Sequence, residues 1–177
     1  MSAIAMGLLK KGYSVSGSDL VKNNETNKLE KLGAIIFNSQ IGQNIEFITS
    51  KFNNKLINFV VSSAIKPENE ELAYCKQNNH LIKHRSDILA MLMQSYTSIG
   101  IAGSHGKTST STFLSTLLEL CTHNSSSITG GIIPIYKSNC HLENTKYLVA
   151  EVDESDGTIN KYKSDIGIIN NIDFDHC

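Results

Sequence analysis

The stretch Ile101-Ala-Gly-Ser-His-Gly-Lys-Thr-Ser109 decides the fold of this chain, because it joins a strand pattern to a helix pattern. Residues 96–102 contain three β-branched residues at alternate positions, Thr97, Ile99 and Ile101, which predicts a strand. Residues 107–120 carry apolar side chains at helical spacing and contain neither glycine nor proline. A short glycine-bearing loop between a strand and a helix is typical of proteins that bind nucleotide phosphates.

The residue types in the loop match that chemistry. Gly103 and Gly106 allow backbone N–H groups to turn inward around phosphate oxygens, and the helix N-terminus adds positive potential. Lys107 can reach the terminal phosphates, and the Thr108 hydroxyl can bind Mg²⁺. The common phosphate-loop pattern needs a glycine at position 101, where this chain has isoleucine, so the loop is a shorter GxxGKT form. The alternative interpretation is a glycine-rich turn that only caps a helix.

Strand and helix patterns alternate along the rest of the chain. Helical patterns cover residues 2–11, 24–32, 68–77 and 85–94, and strand patterns cover residues 13–19, 34–37, 56–61, 146–152 and 166–172. This alternation favours a parallel, doubly wound α/β sheet with helices on both faces. The pattern restarts near residue 95, where we predict a domain boundary. The run Ser125-Ser-Ser127 is typical of a loop.

An acidic cluster, Glu151-Val-Asp-Glu-Ser-Asp156, follows the strand pattern at residues 146–152. Strand ends of this kind supply metal ligands in nucleotide sites, and Glu151 is the acid nearest the strand. Without the upstream loop, a solvated acidic surface would be an equally good interpretation. Because the ligands of open α/β sheets bind at the carboxyl ends of the strands, we expect Glu151 to lie near the phosphate loop.

The last strand pattern ends in a third polar cluster, Ile168-Ile-Asn-Asn-Ile-Asp-Phe-Asp-His176. His176 could bind a second divalent cation, with Asp173 and Asp175 holding it. Oxygen ligands suit Mg²⁺ better than imidazole, so a surface histidine is an alternative that spacing alone does not exclude.

The overall composition narrows the class of protein. The chain has 40% hydrophobic and 19% charged residues, which indicates an ordinary folded domain. Its formal net charge of −1 gives no overall basic field for nucleic acid or an anionic membrane. The four cysteines form no metal-ligand spacing, and no apolar run is long enough to span a bilayer. Lys10 and Lys11 follow the N-terminal apolar run instead of preceding it, unlike a signal peptide. We therefore expect a cytoplasmic protein with reduced thiols.

The three clusters, taken in this order, resemble the Mur ligase family, and within it the branch that adds the first amino acid to UDP-N-acetylmuramate. The matching stretches are Gly103-Ser-His-Gly-Lys-Thr-Ser109, Glu151-Val-Asp-Glu-Ser-Asp-Gly157 and Asn171-Ile-Asp-Phe-Asp-His176. The resemblance implies a Rossmann-like parallel sheet that binds the UDP-sugar over residues 1–95. It implies the N-terminal part of a P-loop-type ATPase central domain over residues 96–177.

The resemblance also implies an activity and its residues. ATP, with Mg²⁺, would phosphorylate the muramyl carboxylate, and the amine of L-alanine would attack the acyl phosphate. Lys107 and His105 would serve catalysis, and Thr108, Glu151 and His176 would bind metal. The nucleotide would contact Gly103, Ser104, His105, Gly106, Lys107, Thr108 and Ser109. The UDP-sugar would contact Ser18, Asp19, Ser62, Ser63 and Ala64.

Family patterns also leave alternatives open. A murein tripeptide ligase shares the loop but resembles Asp-Glu-Tyr-Asp, whereas this chain has Ser155 within Asp153-Glu-Ser-Asp156. Folylpolyglutamate synthase has Asn-Gly-Lys where this chain has His105-Gly-Lys. The resemblance implies that a strand and a GxGGxG turn precede Met1 and that a third domain follows Cys177. On that expectation the 177-residue chain by itself is an inactive nucleotide-binding fragment.

Overall fold

The computed structural model describes residues 1–53, 55–154 and 157–173. The chain forms two compact units, Met1–Arg85 and Ser86–Cys177. Residues 86–95 therefore group with the second unit, ten residues ahead of the boundary expected from the sequence. The functional domains 1–95 and 96–177 stay a prediction.

The first unit alternates helices with short strands. Its helices are α1 (Ser2–Lys10), α2 (Asn24–Lys31), α3 (Gly42–Lys51) and α4 (Glu70–Gln77), and its strands are β1 (Ser16–Ser18), β2 (Ile35–Phe37), β3 (Phe59–Val61) and β4 (Ile82–His84). Strand β1 pairs with β2, and β3 pairs with β4, both in parallel. A capping box begins α2, in which the Asn23 side chain accepts from the backbone N–H of Thr26 and the Thr26 hydroxyl accepts from the Asn23 N–H. Helix α3 and strand β4 were not predicted from the sequence.

The second unit is built on a five-stranded sheet. Its elements are α5 (Arg85–Met93), β5 (Thr97–Ala102), α6 (Lys107–Leu120), β6 (Ser125–Ile133), β7 (Ser138–His141), β8 (Tyr147–Glu151), a short 3-10 helix (Ile159–Lys161) and β9 (Ile166–Ile169). The strand order is β7-β6-β8-β5-β9, and only β7 runs antiparallel to its neighbour. Ile99, Ile101 and Val149 form its buried centre, against which Leu114, Leu118 and Ile168 pack. The α/β class with parallel sheets is confirmed.

The loop predicted at Ser125-Ser-Ser127 is wrong, because these residues open strand β6 and are completely buried. Helix α6 lies against β6 and carries two further fully buried serines, Ser111 and Ser115. Small side chains let a helix approach a strand closely, and a hydroxyl can be buried when it finds a partner. Ser126 does so, since its hydroxyl accepts from the Glu143 backbone N–H at 3.0 Å. A prediction based on the spacing of apolar residues misses a core that contains buried serines.

Hydrogen bonds that the Asp165 carboxylate accepts fix the start of β5 in the sheet. Its carboxylate accepts from the backbone N–H of Ser98 at 2.7 Å and from the Ser98 hydroxyl at 3.1 Å. These bonds, the backbone one foremost, lower the pKa of Asp165. The strand that leads into the phosphate loop is thus held at its amino end by a charged acceptor.

Three of the cysteines, Cys75, Cys121 and Cys140, are in the thiol form. Burial raises the pKa of Cys75 to about 11, with the nearby Glu71 charge adding to the effect. Cys177 lies outside the described residues. Among the helices that the structure describes, none has both the length and the apolar character needed to cross a membrane.

Candidate functional site

A four-residue loop, residues 103–106, connects the buried strand β5 to helix α6. Both of its glycines have positive φ angles, 134° at Gly103 and 81° at Gly106, which side-chain-bearing residues rarely adopt. A Cβ at Gly103 would also lie 3.1 Å from the Asn171 carbonyl oxygen. Gly106 is the N-cap of α6, and no side chain caps the helix there. The first N–H groups of the helix therefore remain available to an anion.

Lys107 begins α6 and its side chain folds back over the loop. Its ammonium donates to the backbone carbonyl of Gly103 and to Glu154 Oε1, the latter at 2.8 Å. The Lys107 and Glu154 side chains are only 21% and 23% exposed, so the ion pair is partly shielded from water. The second carboxylate oxygen of Glu154 is buried and has no partner among the described residues. The lysine thus lies at the loop, where it can exchange a carboxylate oxygen for a phosphate oxygen.

Thr108 and Glu151 lie together, as expected from the sequence. The Thr108 hydroxyl donates to Glu151 Oε2 at 3.2 Å, and Ser111, one turn further along α6, donates to Glu151 Oε1 at 2.9 Å. Parallel pairing brings this about, because Ile101 at the end of β5 is in register with Glu151 at the end of β8. Hydroxyl and carboxylate oxygens are the ligands that Mg²⁺ prefers. The donor set therefore fits a magnesium ion.

Two glycines of β6, Gly130 and Gly131, form the wall beside this pair. A Cβ at Gly130 would lie 2.9 Å from Glu151 Oε2, and a Cβ at Gly131 would lie 2.6 Å from Thr108 Cγ2. Neither position could carry a side chain unless Thr108 or Glu151 moved, so the two glycines let β6 approach this pair closely.

The end of β9 borders the loop on its other side. Asn171 and Asn170 bond to the backbone of His105, and Asn170 also accepts from the Thr110 hydroxyl at 3.1 Å. The Ser104 hydroxyl accepts from the Asp173 backbone N–H at 3.0 Å. The polar residues that the structure describes at the ends of β5, β8 and β9 therefore share one edge of the sheet. The sequence predicted this arrangement.

The other residues predicted for this site differ in how much the structure says of them. The side chains of His105 and Ser109 are exposed at the loop and at the first turn of α6. His176, predicted as a metal ligand, lies outside the described residues, and its role stays a prediction. Within the described residues no group of three histidine, cysteine or acidic side chains is arranged to hold a metal.

The residues expected to bind a UDP-sugar lie at strand ends of the first unit. The Ser18 hydroxyl, at the end of β1, donates to Glu71 on α4. The Asp19 carboxylate accepts from the Val21 backbone N–H at 3.0 Å.

The remaining candidates, Ser62, Ser63 and Ala64, follow β3 directly. The Ser63 hydroxyl lies 3.0 Å from His84 Nε2, at the end of the neighbouring strand β4. His84 was given no role from the sequence. Both groups of candidates thus occupy carboxyl ends of parallel strands, where ligands of such sheets bind.

Sequence reasoning missed several residues that complete the phosphate-loop site. Ser111 could have been found, because it lies four positions after Lys107 on the same helix face. A Gly130-Gly131 pair inside a strand is a signal of close approach by other atoms. Glu154, Asn170 and Asn171 stood in clusters that were noticed, but nothing in their spacing pointed to Lys107 or His105.

Sequence comparison matches the chain along almost its whole length. The profile described as Mur ligase family, catalytic domain, matches residues 1–97, and the profile described as Mur ligase middle domain matches residues 101–177. A UDP-N-acetylmuramate–L-alanine ligase of Prochlorococcus marinus subsp. pastoris is 76% identical over 177 residues, which cover 100% of this chain and 37% of that protein. A ligase of the same description from another Prochlorococcus marinus strain is 48% identical over 99% of this chain and 37% of its own length. The chain spans a little over a third of these relatives.

Two solved structures have a similar fold. A UDP-N-acetylmuramate–alanine ligase from Thermotoga maritima superposes with a TM-score of 0.84 at 23% identity, covering 99% of this chain and 40% of that one. A UDP-N-acetylmuramate:L-alanyl-gamma-D-glutamyl-meso-diaminopimelate ligase from Neisseria meningitides gives a TM-score of 0.88 at 21% identity, covering 99% and 58%. At these identities the likeness establishes the fold alone.

Proposed function

Because the chain belongs to the Mur ligase family, we propose that it forms part of an ATP-dependent ligase that joins L-alanine to UDP-N-acetylmuramate in peptidoglycan precursor synthesis. The observation that carries the proposal is the meeting of Lys107 and Thr108 with Glu151 and Glu154 beside the uncapped start of α6. Relatives that are 76% and 48% identical bear that activity in their names. Such an enzyme acts on soluble precursors, so we place it in the cytoplasm.

In this proposal the residues of the second unit bind and orient the phosphates of ATP. Backbone N–H groups at the start of α6 donate hydrogen bonds to the phosphate oxygens, and Lys107 stabilises charge on the transferring phosphoryl group. Thr108 and Glu151 hold one Mg²⁺, with Ser111 fixing the carboxylate from its far side. When bound, ATP would supply the phosphoryl group that activates the muramyl carboxylate, leaving ADP, and attack by the amine would release phosphate; the metal would offset the charge of the phosphates.

The residues of the first unit would recognise the UDP-sugar. Ser18, Asp19, Ser62, Ser63 and Ala64 offer hydroxyls, a carboxylate and backbone groups at strand ends. His105, exposed on the phosphate loop, would approach the acceptor carboxylate.

Nucleotide binding by the chain itself tests the phosphate site. Isothermal titration with MgATP should give saturable binding, and Lys107→Ala should weaken it at least tenfold, since a charge-assisted hydrogen bond is worth about 1.5–3 kcal/mol. Lys163→Ala is the matched control, because Lys163 is an exposed lysine of the same unit. Equal affinity in the two variants would remove Lys107 from the site.

Turnover by the whole ligase tests the substrates. Phosphate release from ATP should require both UDP-N-acetylmuramate and L-alanine, and Lys107→Ala should abolish it while circular dichroism shows an intact fold. Release that depends on a murein tripeptide and not on L-alanine would instead identify a tripeptide ligase.

A further inference from the structure

The side chain of Asn171 pairs with both backbone polar groups of one loop residue. The His105 N–H donates to Asn171 Oδ1 at 2.9 Å, and Asn171 Nδ2 donates to the His105 carbonyl oxygen at 3.2 Å. A carboxamide presents one donor and one acceptor side by side, so it can pair with a peptide as a neighbouring strand would. The consequence is that the His105 N–H points at the end of β9 and is already bonded without any nucleotide.

Asn170 reinforces this contact from the preceding position. Its Nδ2 donates to the same His105 carbonyl at 3.2 Å, while its Oδ1 accepts from the Thr110 hydroxyl on α6. Its backbone N–H donates to the Ala102 carbonyl at 3.1 Å, which continues the pairing of β9 with β5. The two asparagines therefore connect the middle of the loop to the rigid sheet and to the first turns of α6.

We propose that Asn171 is a positioning residue for the nucleotide phosphates. By binding both sides of His105, it holds the loop open in its phosphate-binding shape and directs the His105 N–H away from the phosphates. The amides of Gly106, Lys107 and Thr108 then receive the phosphate oxygens without rearrangement, which lowers the cost of binding. This inference rests on the proposed nucleotide site. It adds that the amides of residues 106–108, and not that of His105, bind the phosphates.

The surroundings of His105 separate this role from a purely structural one. His105 is exposed, so water can replace the Asn171 side chain at its backbone groups after a substitution. The β5–β9 pairing through Asn170 does not use the Asn171 side chain. The loss should therefore appear in the order of the loop and in nucleotide affinity, and only weakly in the unfolding temperature.

Amide hydrogen exchange measured by NMR on the nucleotide-free chain tests the contact. In Asn171→Ala the His105 amide should exchange on the order of tenfold faster, and MgATP should bind on the order of tenfold more weakly, as expected for the loss of one or two hydrogen bonds. Asn171→Asp keeps the acceptor for the His105 N–H, so amide exchange at His105 should rise less than in Asn171→Ala, whereas the added negative charge beside the loop should weaken MgATP binding at least as much as alanine does. Asn160→Ala, at an exposed asparagine of the same unit, should change neither quantity.

The outcomes separate this inference from the proposed function. Unchanged exchange at His105 in Asn171→Ala would overturn the inference, as would a MgATP titration in which the His105 amide shifts more than those of residues 106–108. Failure of the unmodified chain to bind MgATP would overturn the nucleotide site, while the exchange measurement would still decide whether Asn171 holds the loop.

Discussion

The substitution Gly131→Ala places a methyl group against Thr108, the proposed metal ligand. Its Cβ would lie 2.6 Å from Thr108 Cγ2, about 1 Å inside the roughly 3.5–4.0 Å at which carbon atoms pack well. Thr108 must then rotate away from Glu151 or the start of α6 must move. Overpacking of this kind costs about 1–3 kcal/mol. Loss of the 3.2 Å hydrogen bond between Thr108 and Glu151 would add about 1 kcal/mol if the threonine rotates.

Gly167→Ala provides a matched reference. Gly167 lies in β9 of the same sheet, and a Cβ there meets no atom within 4 Å. Both substitutions reduce the entropy of the unfolded chain by a similar amount, about 0.4–1 kcal/mol. The difference between the two variants in the free energy of unfolding therefore isolates the contact with Thr108, and we expect Gly131→Ala to be less stable by about 1–3 kcal/mol.

Thr108→Ser supplies the decisive test, because it removes the methyl group that is struck and keeps the hydroxyl. The double variant Thr108→Ser, Gly131→Ala should recover most of the stability lost by Gly131→Ala alone, giving a coupling energy of about 1 kcal/mol or more in a double-mutant cycle. Urea unfolding gives the free energies of unfolding, and titration with MgATP shows whether the double variant also recovers nucleotide affinity. Additive effects, with no recovery in the double variant, would refute the packing described for this wall.

Two further outcomes concern the sheet behind the site. The lowered pKa of Asp165 means that its bond to Ser98 contributes stability above the ordinary carboxyl value of 3.8, and that this contribution disappears as the pH falls through the lower folded value. The unfolding temperature of Asp165→Asn should lie below that of the unmodified chain at pH 7, and the difference should shrink as the pH falls from 3.8 through the lower folded pKa of Asp165; a constant difference would contradict the assignment. Ser115→Ala should raise the free energy of unfolding by up to about 1 kcal/mol in urea, because the Ser115 hydroxyl is buried without a partner among the described residues; a loss of stability would show that it has one.

The parts of the fold that could be predicted from the sequence are those whose buried positions carry apolar side chains. Strand β5 and helix α6 were located closely because apolar residues fill the strand and the loop glycines separate it from the helix. Strands β6 and β7 were missed because serine, asparagine and cysteine occupy buried positions there. Helix α3 was missed because Ile41 begins it without a side-chain cap.

The candidate site divides in the same way. The approach of Thr108 to Glu151 follows from parallel strands ending at one edge, so topology alone predicted it. The contacts of Lys107 with Glu154 and of His105 with Asn171 depend on how irregular segments turn after their strands. No periodicity encodes those turns, and only coordinates reveal them.

The ion pair between Lys107 and Glu154 would make nucleotide entry at the proposed site an exchange reaction. The lysine is already engaged, and Glu151 and Glu154 together outnumber it in charge. A bare polyphosphate would add repulsion to that excess, whereas one that carries Mg²⁺ brings two positive charges to offset it. In the proposed site the metal-free anion would therefore displace Glu154 from Lys107 poorly, and the loop would favour the nucleotide that carries Mg²⁺.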